Sequence, residues 1–370
     1  MTPNTNGTDT PPPLRLSMTL PGSASLGAYQ AGAVSALAVA VNALRDGGRR
    51  VHLDAVGGAS AGSIVAMIFS HCLMTGRDAP EMLRSAWVDE VDVDVLKATG
   101  SGSPLSFDDL RTKLDDFLSD TQEHPFDVHP RLDESVEIQV GLTSLLGFTQ
   151  SAESGGHSVA SLTYADWSSH VLHPHGDHRE VLEPQGGSAS SLLDAVLASA
   201  AHPIAFEPQR LDRTGDDLDG RGHENLPDDR RLWYTDGGLV ESQPIGRIIQ
   251  AARRSAGHAD GVRLHLVVDP RSSGPSGNEE WSDPESVKGW MDGLRRAVSV
   301  VPTQALHDDL RTTATINDQL DTLDETMAWL TDHVDLGGHG DELRDRIAGL
   351  ARISGKERVD VEMISPLLEA

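Results

Sequence analysis

The stretch from Leu14 to Met74 does most to limit what this chain can fold into. Leu14–Leu20 reads as a short apolar strand. PGSASLG (21–27) follows, a small-residue turn. It opens GAYQAGAVSALAVAVNALRD (27–46), an Ala-rich run without Pro that reads as a helix ending near Gly47–Gly48. Val51–Val56 is a second strand. It stops at GGASAG (57–62), and IVAMIFSHCLM (64–74) reads as another helix. Strand, turn, helix, repeated twice, predicts a parallel α/β architecture, because parallel neighbours need a crossover helix between them.

The rest of the chain is less regular. SFDDLRTKLDDFL (106–118) carries Phe107, Leu110, Leu114 and Phe117 at helical spacing, with Ser106 and Asp109 placed as a capping box. Val136–Leu142 alternates as a strand, and the polar residues 149–159 read as a loop. Ser188–Ala201 reads as a helix of small residues. Arg231–Thr235 is a strand running into Asp236-Gly237-Gly238, and Arg263–Val268 is another. Past Asp269 the composition is that of a loop, then of helices over 286–332, then of a last strand at Val359–Ile364. The expected organisation is a flexible tail over 1–13, a main α/β domain over 14–275, and a mostly helical extension over 276–370 whose last strand could rejoin the main sheet.

Three segments carry chemistry. Gly58-Ala59-Ser60-Ala61-Gly62 matches G-x-S-x-G between a strand and a helix, the setting of a nucleophile elbow. There Ser60 is the nucleophile, Gly58 and Gly62 permit the tight turn, and the N–H of Ala61 is a donor for an oxyanion. The same pattern also suits a turn that only lets helix and strand pack closely. The first turn, Gly22-Ser23-Ala24-Ser25-Leu26-Gly27, has phosphate-loop spacing. However, Ala28 stands where the lysine belongs, and no G-x-G dinucleotide pattern is present. What remains is a loop whose Gly22, Ser23 and Ala24 amides could hold an anion. Tyr234-Thr235-Asp236-Gly237-Gly238 offers Asp236 as general base, with Gly237 allowing the turn; Asp-Gly is equally a common hairpin turn.

These segments, in this order, resemble the patatin-like phospholipase family. Its pattern is a G-G-G-x-R-G loop, then G-x-S-x-G, then D-G-G or D-G-A. Ala198-Ser199-Ala200-Ala201-His202-Pro203-Ile204-Ala205-Phe206-Glu207-Pro208 is similar to the A-S-x-A-x-P-x-x-F-x-P segment before the family's aspartate. Gly27–Gly32 and the Gln243–Pro244 pair also match, so the resemblance covers roughly 14–250. It implies a three-layer α/β/α sandwich and hydrolysis of lipid acyl esters of phospholipase A or lysophospholipase type. Ser60 would form the acyl-enzyme, Asp236 would be its partner, and neither histidine, metal nor cofactor would be needed. Two loop glycines are replaced here, Leu26 stands where the family has arginine, and Gln243 stands where it usually has asparagine. A second reading is therefore a weak or inactive patatin-like module that binds lipid or a partner.

Composition narrows the partners. A formal charge of −27, from 57 acidic and 30 basic residues, excludes nucleic-acid binding as a main role. It also disfavours electrostatic docking on an anionic bilayer, so transient membrane contact would have to be hydrophobic. The single Cys72 excludes an intramolecular disulfide and reads as a buried hydrophobe. No run of about 18 apolar residues is seen, and the start lacks a secretory pattern, so the chain reads as cytoplasmic.

The other clusters are weaker. His173-Pro174-His175-Gly176-Asp177-His178 lacks zinc-type spacing, and Asp89–Asp94 lacks the glycine and terminal glutamate of an EF-hand. His202 and His223 are the nearest candidates for a triad histidine. Trp281, Trp290 and Trp329 read as packing residues of the extension. Leu142, Leu145, Leu146 and Phe148 read as core or as an acyl channel.

Overall fold

A computed structural model describes residues 13–23, 26–90, 96, 103–119, 135–154, 157–173, 191–214, 218, 221, 223, 225–256, 262–270, 289, 292 and 360–364. The 1–12 tail, Ala24, the 286–332 helices, most of the His173–His178 and Asp89–Asp94 runs, and Trp281, Trp290 and Trp329 lie outside these residues.

The elements are β1 (Leu14–Leu20), α1 (Gly27–Asp46), β2 (Val51–Gly58), α2 (Ala61–Thr75), α3 (Ala79–Arg84), α4 (Asp108–Ser119), β3 (Val136–Ser154) and β4 (His157–Leu172). They continue with α5 (Leu192–Ser199), β5 (Gln209–Asp212), β6 (Arg231–Thr235), α6 (Ile245–Ala256), β7 (Val262–Val268) and β8 (Asp360–Ile364). The sheet order is β5-β6-β3-β2-β1-β7-β8, with β4 also paired to β3. β3, β2, β1, β7 and β8 run parallel. β4 and β6 are antiparallel to β3, and β5 is antiparallel to β6. The last strand thus pairs with β7 in the main sheet.

Alternation along β1 sorts the two faces. Leu16, Met18 and Leu20 join the main core with Val34, Ala38 and Val41 of α1, Val65 and Phe69 of α2, Leu83 of α3 and Val196 of α5. On the opposite face, Ala55 of β2 meets Ile248 and Ala251 of α6. The result is the expected α/β/α sandwich. α2 is apolar on all sides and buried along its length, as a helix between a sheet and other helices must be. α1 is the one described helix long and apolar enough by composition to cross a membrane, but it contributes Ala31, Val34, Ala38 and Val41 to the core. Burial pushes the Cys72 thiol up to about 12, so it stays a neutral packing group.

One expectation is overturned. Residues 149–154 and 157–159, expected as loop, are strand. β3 and β4 pair from Val136↔Leu172 out to Ser154↔His157, with one register shift between Thr143 and Phe148. Backbone ladder hydrogen bonds hold this arm together, and they carry no apolar signature for a sequence pattern to reveal. At the shift, Leu145 and Leu146 stand exposed, whereas Leu142 and Phe148 are core.

Polar groups are built into the face of β1 opposite the main core. β1 and β2 slip register between Leu16 and Ser17, which leaves Asp54 as an extra residue. Arg15 donates to both its carboxylate oxygens, at 3.0 and 2.7 Å. Next along that face, the His265 ring lies between the Ser17 and Thr19 hydroxyls at 2.8 and 3.0 Å. Burial pushes the ring down to about 3, so it is neutral in the folded protein.

Candidate active site

β2 ends where G-x-S-x-G begins, and its last peptide lies against the end of β1. A Cβ on Gly58 would sit 2.3 Å from the Leu20 carbonyl oxygen, and one on Gly62 would sit 2.1 Å from it. Only glycine lets the turn close against β1 there. Ser60 itself holds φ 52° and ψ −131°, a conformation that costs a non-glycine residue roughly 1–3 kcal/mol. It is the residue immediately before α2, so its side chain projects at the carboxyl end of the sheet, over a helix N-terminus.

Two contacts hold the elbow. The Ser60 N–H donates to Ser199 Oγ at 2.9 Å, and Ser199 Oγ–H donates to the Gly141 carbonyl at 2.7 Å. The Ser63 hydroxyl donates to the Ser60 carbonyl at 2.7 Å. Ser199 closes α5, whose start is set by a reciprocal capping box between Ser191 and Asp194. The matched 198–208 segment therefore contributes structurally, through a buried hydroxyl that pins a strained residue.

The carboxylate arrives from β6. Thr235 Oγ1 donates to the Ala201 carbonyl at 2.7 Å, and the Asp236 N–H donates to the same oxygen at 3.0 Å. Gly237 passes so close to β3 that a Cβ there would lie 2.0 Å from the Gly141 carbonyl oxygen. The Gly238 N–H then donates to Asp236 Oδ1 at 2.7 Å, which fixes the carboxylate plane. Its second oxygen, Oδ2, accepts the Ser60 hydroxyl at 2.8 Å. Both side chains are buried, Ser60 at 8% and Asp236 at 4% exposure. Burial pushes the Asp236 carboxyl above its ordinary value; the Ser60 and Gly238 hydrogen bonds and the nearby His202 oppose that rise.

Neither candidate histidine stands between them. His202 Nδ1 accepts the Ile204 N–H at 3.4 Å. His223 stacks on Phe148 at 4.0 Å and lies 4.0 Å from Asp166. Asp166 belongs to a separate buried network. Arg213 and the Tyr234 hydroxyl each donate to its Oδ2 at 2.6 Å, and Arg221 donates to its Oδ1 at 2.8 Å. Desolvation raises the Asp166 carboxyl, but Arg213, the Tyr234 hydrogen bond and Arg221 outweigh it and bring it below the ordinary range. Among the described residues no cluster of three or more His, Cys, Asp or Glu could hold a metal ion.

The first turn differs in part from its expected role. Gly22 lies beside Ser60, but its N–H donates to the Ser242 carbonyl at 2.9 Å. That amide is already satisfied and is no oxyanion donor, which corrects the expectation for Gly22. Gly22 contributes its missing side chain instead. Ser23 is buried, and its hydroxyl donates to Gln30 Oε1 at 2.8 Å. Gln30, fully buried on α1, donates in turn to the Pro21 and Val268 carbonyls at 2.9 and 3.1 Å. It is a positioning residue that sequence reasoning missed. Its signal was a glutamine within the apolar stripe of α1, beside Ala31 and Val34. The Ala61 N–H sits in the first turn of α2, where amides have no partner within the helix.

The family profile described as Patatin-like phospholipase matches residues 18–249, which contain every residue of this site. The chain belongs to the patatin-like phospholipase family. Comparison with curated proteins finds no match. Among solved structures, VipD from Legionella pneumophila is similar at a TM-score of 0.38 and 14% identity, with 74% of this chain covered. The chain spans 52% of that protein's length. Membership of the family makes lipid acyl esters the substrate class to which this protein's relatives are suited.

Proposed function

We propose that this protein hydrolyses carboxylic esters of lipids, of phospholipase A or lysophospholipase type, through an acyl-enzyme on Ser60 with Asp236 as the base. The observation that carries the reading is the 2.8 Å hydrogen bond from the Ser60 hydroxyl to Asp236 Oδ2. A serine hydroxyl is a weak nucleophile until a neighbour accepts its proton. A buried carboxylate with a raised pKa is a better acceptor than one in water. Asp236 meets that need directly, with its other oxygen tied to Gly238 so that the accepting one stays in place.

In the first step Ser60 Oγ bonds to the ester carbonyl carbon, and its proton passes to Asp236 Oδ2. The carbonyl oxygen becomes an oxyanion. The N–H of Ala61, at the start of α2, and that of Ser23 supply donors for it. The tetrahedral species collapses, its bond to the alcohol oxygen breaks, and Asp236 returns the proton to that leaving alcohol or lysolipid. In the second step Asp236 takes a proton from water as the water oxygen bonds to the acyl carbon; the tetrahedral species then collapses, its bond to Ser60 Oγ breaks, and Asp236 returns the proton to that oxygen, which releases the fatty acid and regenerates the Ser60 hydroxyl. No step requires a metal or cofactor.

The test is hydrolysis of p-nitrophenyl acyl esters and of phospholipid vesicles by wild type, Ser60→Ala and Asp236→Asn. The proposal expects wild-type turnover, none above background for Ser60→Ala, and a loss of roughly 100-fold or more for Asp236→Asn. Bound acyl chains without wild-type turnover would establish the inactive-module reading instead. A histidine variant, His202→Ala, that alone abolished activity would point to a triad.

A further inference from the structure

Ser242 is only 1% exposed, and its hydroxyl oxygen has no hydrogen-bond partner. An orphaned hydroxyl in a core is costly, and it is rare unless something arrives to satisfy it. Its position says what would arrive. Gly22 has no side chain, and the point where its Cβ would stand lies 3.5 Å from Ser242 Oγ, 3.6 Å from Ser60 Cβ and 3.5 Å from Gly238 Cα. The orphaned hydroxyl and the Ser60 side chain thus border one space of methyl size. The backbone of Ser242 is fixed there by accepting the Gly22 N–H at 2.9 Å. The hydroxyl makes no hydrogen bond to Asp236, whose two oxygens accept Gly238 and Ser60.

We propose that the substrate's acyl oxygen enters this space and that the Ser242 hydroxyl donates a hydrogen bond to it. The proposal rests on the Ser60–Asp236 reading and adds to it a side-chain donor for the oxyanion. Ser242 transfers no proton. As the Ser60 Oγ–C bond forms, the carbonyl pair moves to oxygen, the Ser60 proton goes to Asp236, and the Ser242 O–H strengthens its hydrogen bond to the new charge. When the tetrahedral species collapses, the pair returns and that bond weakens. A donor of this kind makes up for the Gly22 amide, which is spent on Ser242's own carbonyl.

The experiment compares wild type, Ser242→Ala, Ser242→Thr and Gly22→Ala in steady-state hydrolysis of a p-nitrophenyl acyl ester, with melting temperatures measured in parallel. Ser242→Ala is expected to lower kcat about 10–100-fold, with KM within about twofold, because the donor acts mainly in the transition state. It removes an unsatisfied buried group, so its melting temperature stays level or rises. Ser242→Thr, which keeps the hydroxyl, recovers most of kcat. Gly22→Ala fills the space at ordinary contact distances, so it folds and loses turnover. The proposal is overturned if Ser242→Ala keeps wild-type kcat. It is equally overturned if Thr and Ala lose activity alike, or if the loss follows a drop in melting temperature. An inert wild type would sink the Ser60–Asp236 reading itself, a different result from an active wild type with an unaffected Ser242→Ala.

Discussion

Ser199→Ala isolates the device that holds the strained nucleophile. Its hydroxyl accepts the Ser60 N–H at 2.9 Å and donates to the Gly141 carbonyl at 2.7 Å. Ser199 is fully buried, so removing the oxygen orphans two backbone groups out of reach of water. Each orphan costs about 1–3 kcal/mol, which gives about 2–6 kcal/mol in all. For a domain of this size, that corresponds to a fall in melting temperature of roughly 5–15 °C. The assay is thermal melting with urea unfolding, read at constant m-value. Ser70→Ala is the control: Ser70 is equally buried, but its hydroxyl has no partner. The same chemical change there should be neutral or stabilising. The reasoning is refuted if Ser199→Ala melts within about 2 °C of wild type, or if Ser70→Ala loses as much.

Three further outcomes follow from the charges. Asp236 has its folded pKa raised by burial, so the stability tied to it is full in acid and is lost as pH rises through that pKa. Asp236→Asn should therefore melt level with or above wild type at neutral pH, while wild-type kcat/KM rises with pH along one limb centred above the ordinary aspartate range. His265 behaves in the opposite sense: its pKa falls from 6.5 to about 3, so its stability is present above 6.5 and drains away as pH falls between the two values. His265→Gln should unfold with a shallower acid dependence in that window, and an unchanged slope would contradict this. Arg213→Met leaves Asp166 in the core with Arg221 as its one remaining short guanidinium contact, and urea unfolding should show a loss of about 3–5 kcal/mol.

The sequence made the local elements legible and left the long-range ones hidden. β1, β2, β6 and β7 lie within two residues of their expected bounds, because apolar runs between glycine turns mark strands in one pass. Ser60 and Asp236 were nameable from motifs alone, although 176 positions separate them. The devices around them were not. A pattern of small residues does not say which serine meets which backbone group, so Ser199, 139 positions from Ser60, carried no visible role. The Gly22 loop reads in sequence as a row of amide donors, and the structure engages the first of them with Ser242. The long β3–β4 arm escaped because its outer half is polar in sequence and pairs through backbone ladder hydrogen bonds, which leave no apolar pattern to read.

The most direct measurement is peptide mapping after treatment with a fluorophosphonate. The adduct is expected on the peptide containing Ser60 and on no other serine. Labelling of Asp236→Asn should be slowed by roughly 100-fold or more, and the Ser60→Ala protein should stay unmodified. An adduct on a different serine, or wild-type protein that remains unlabelled under conditions that label a control esterase, would contradict the account.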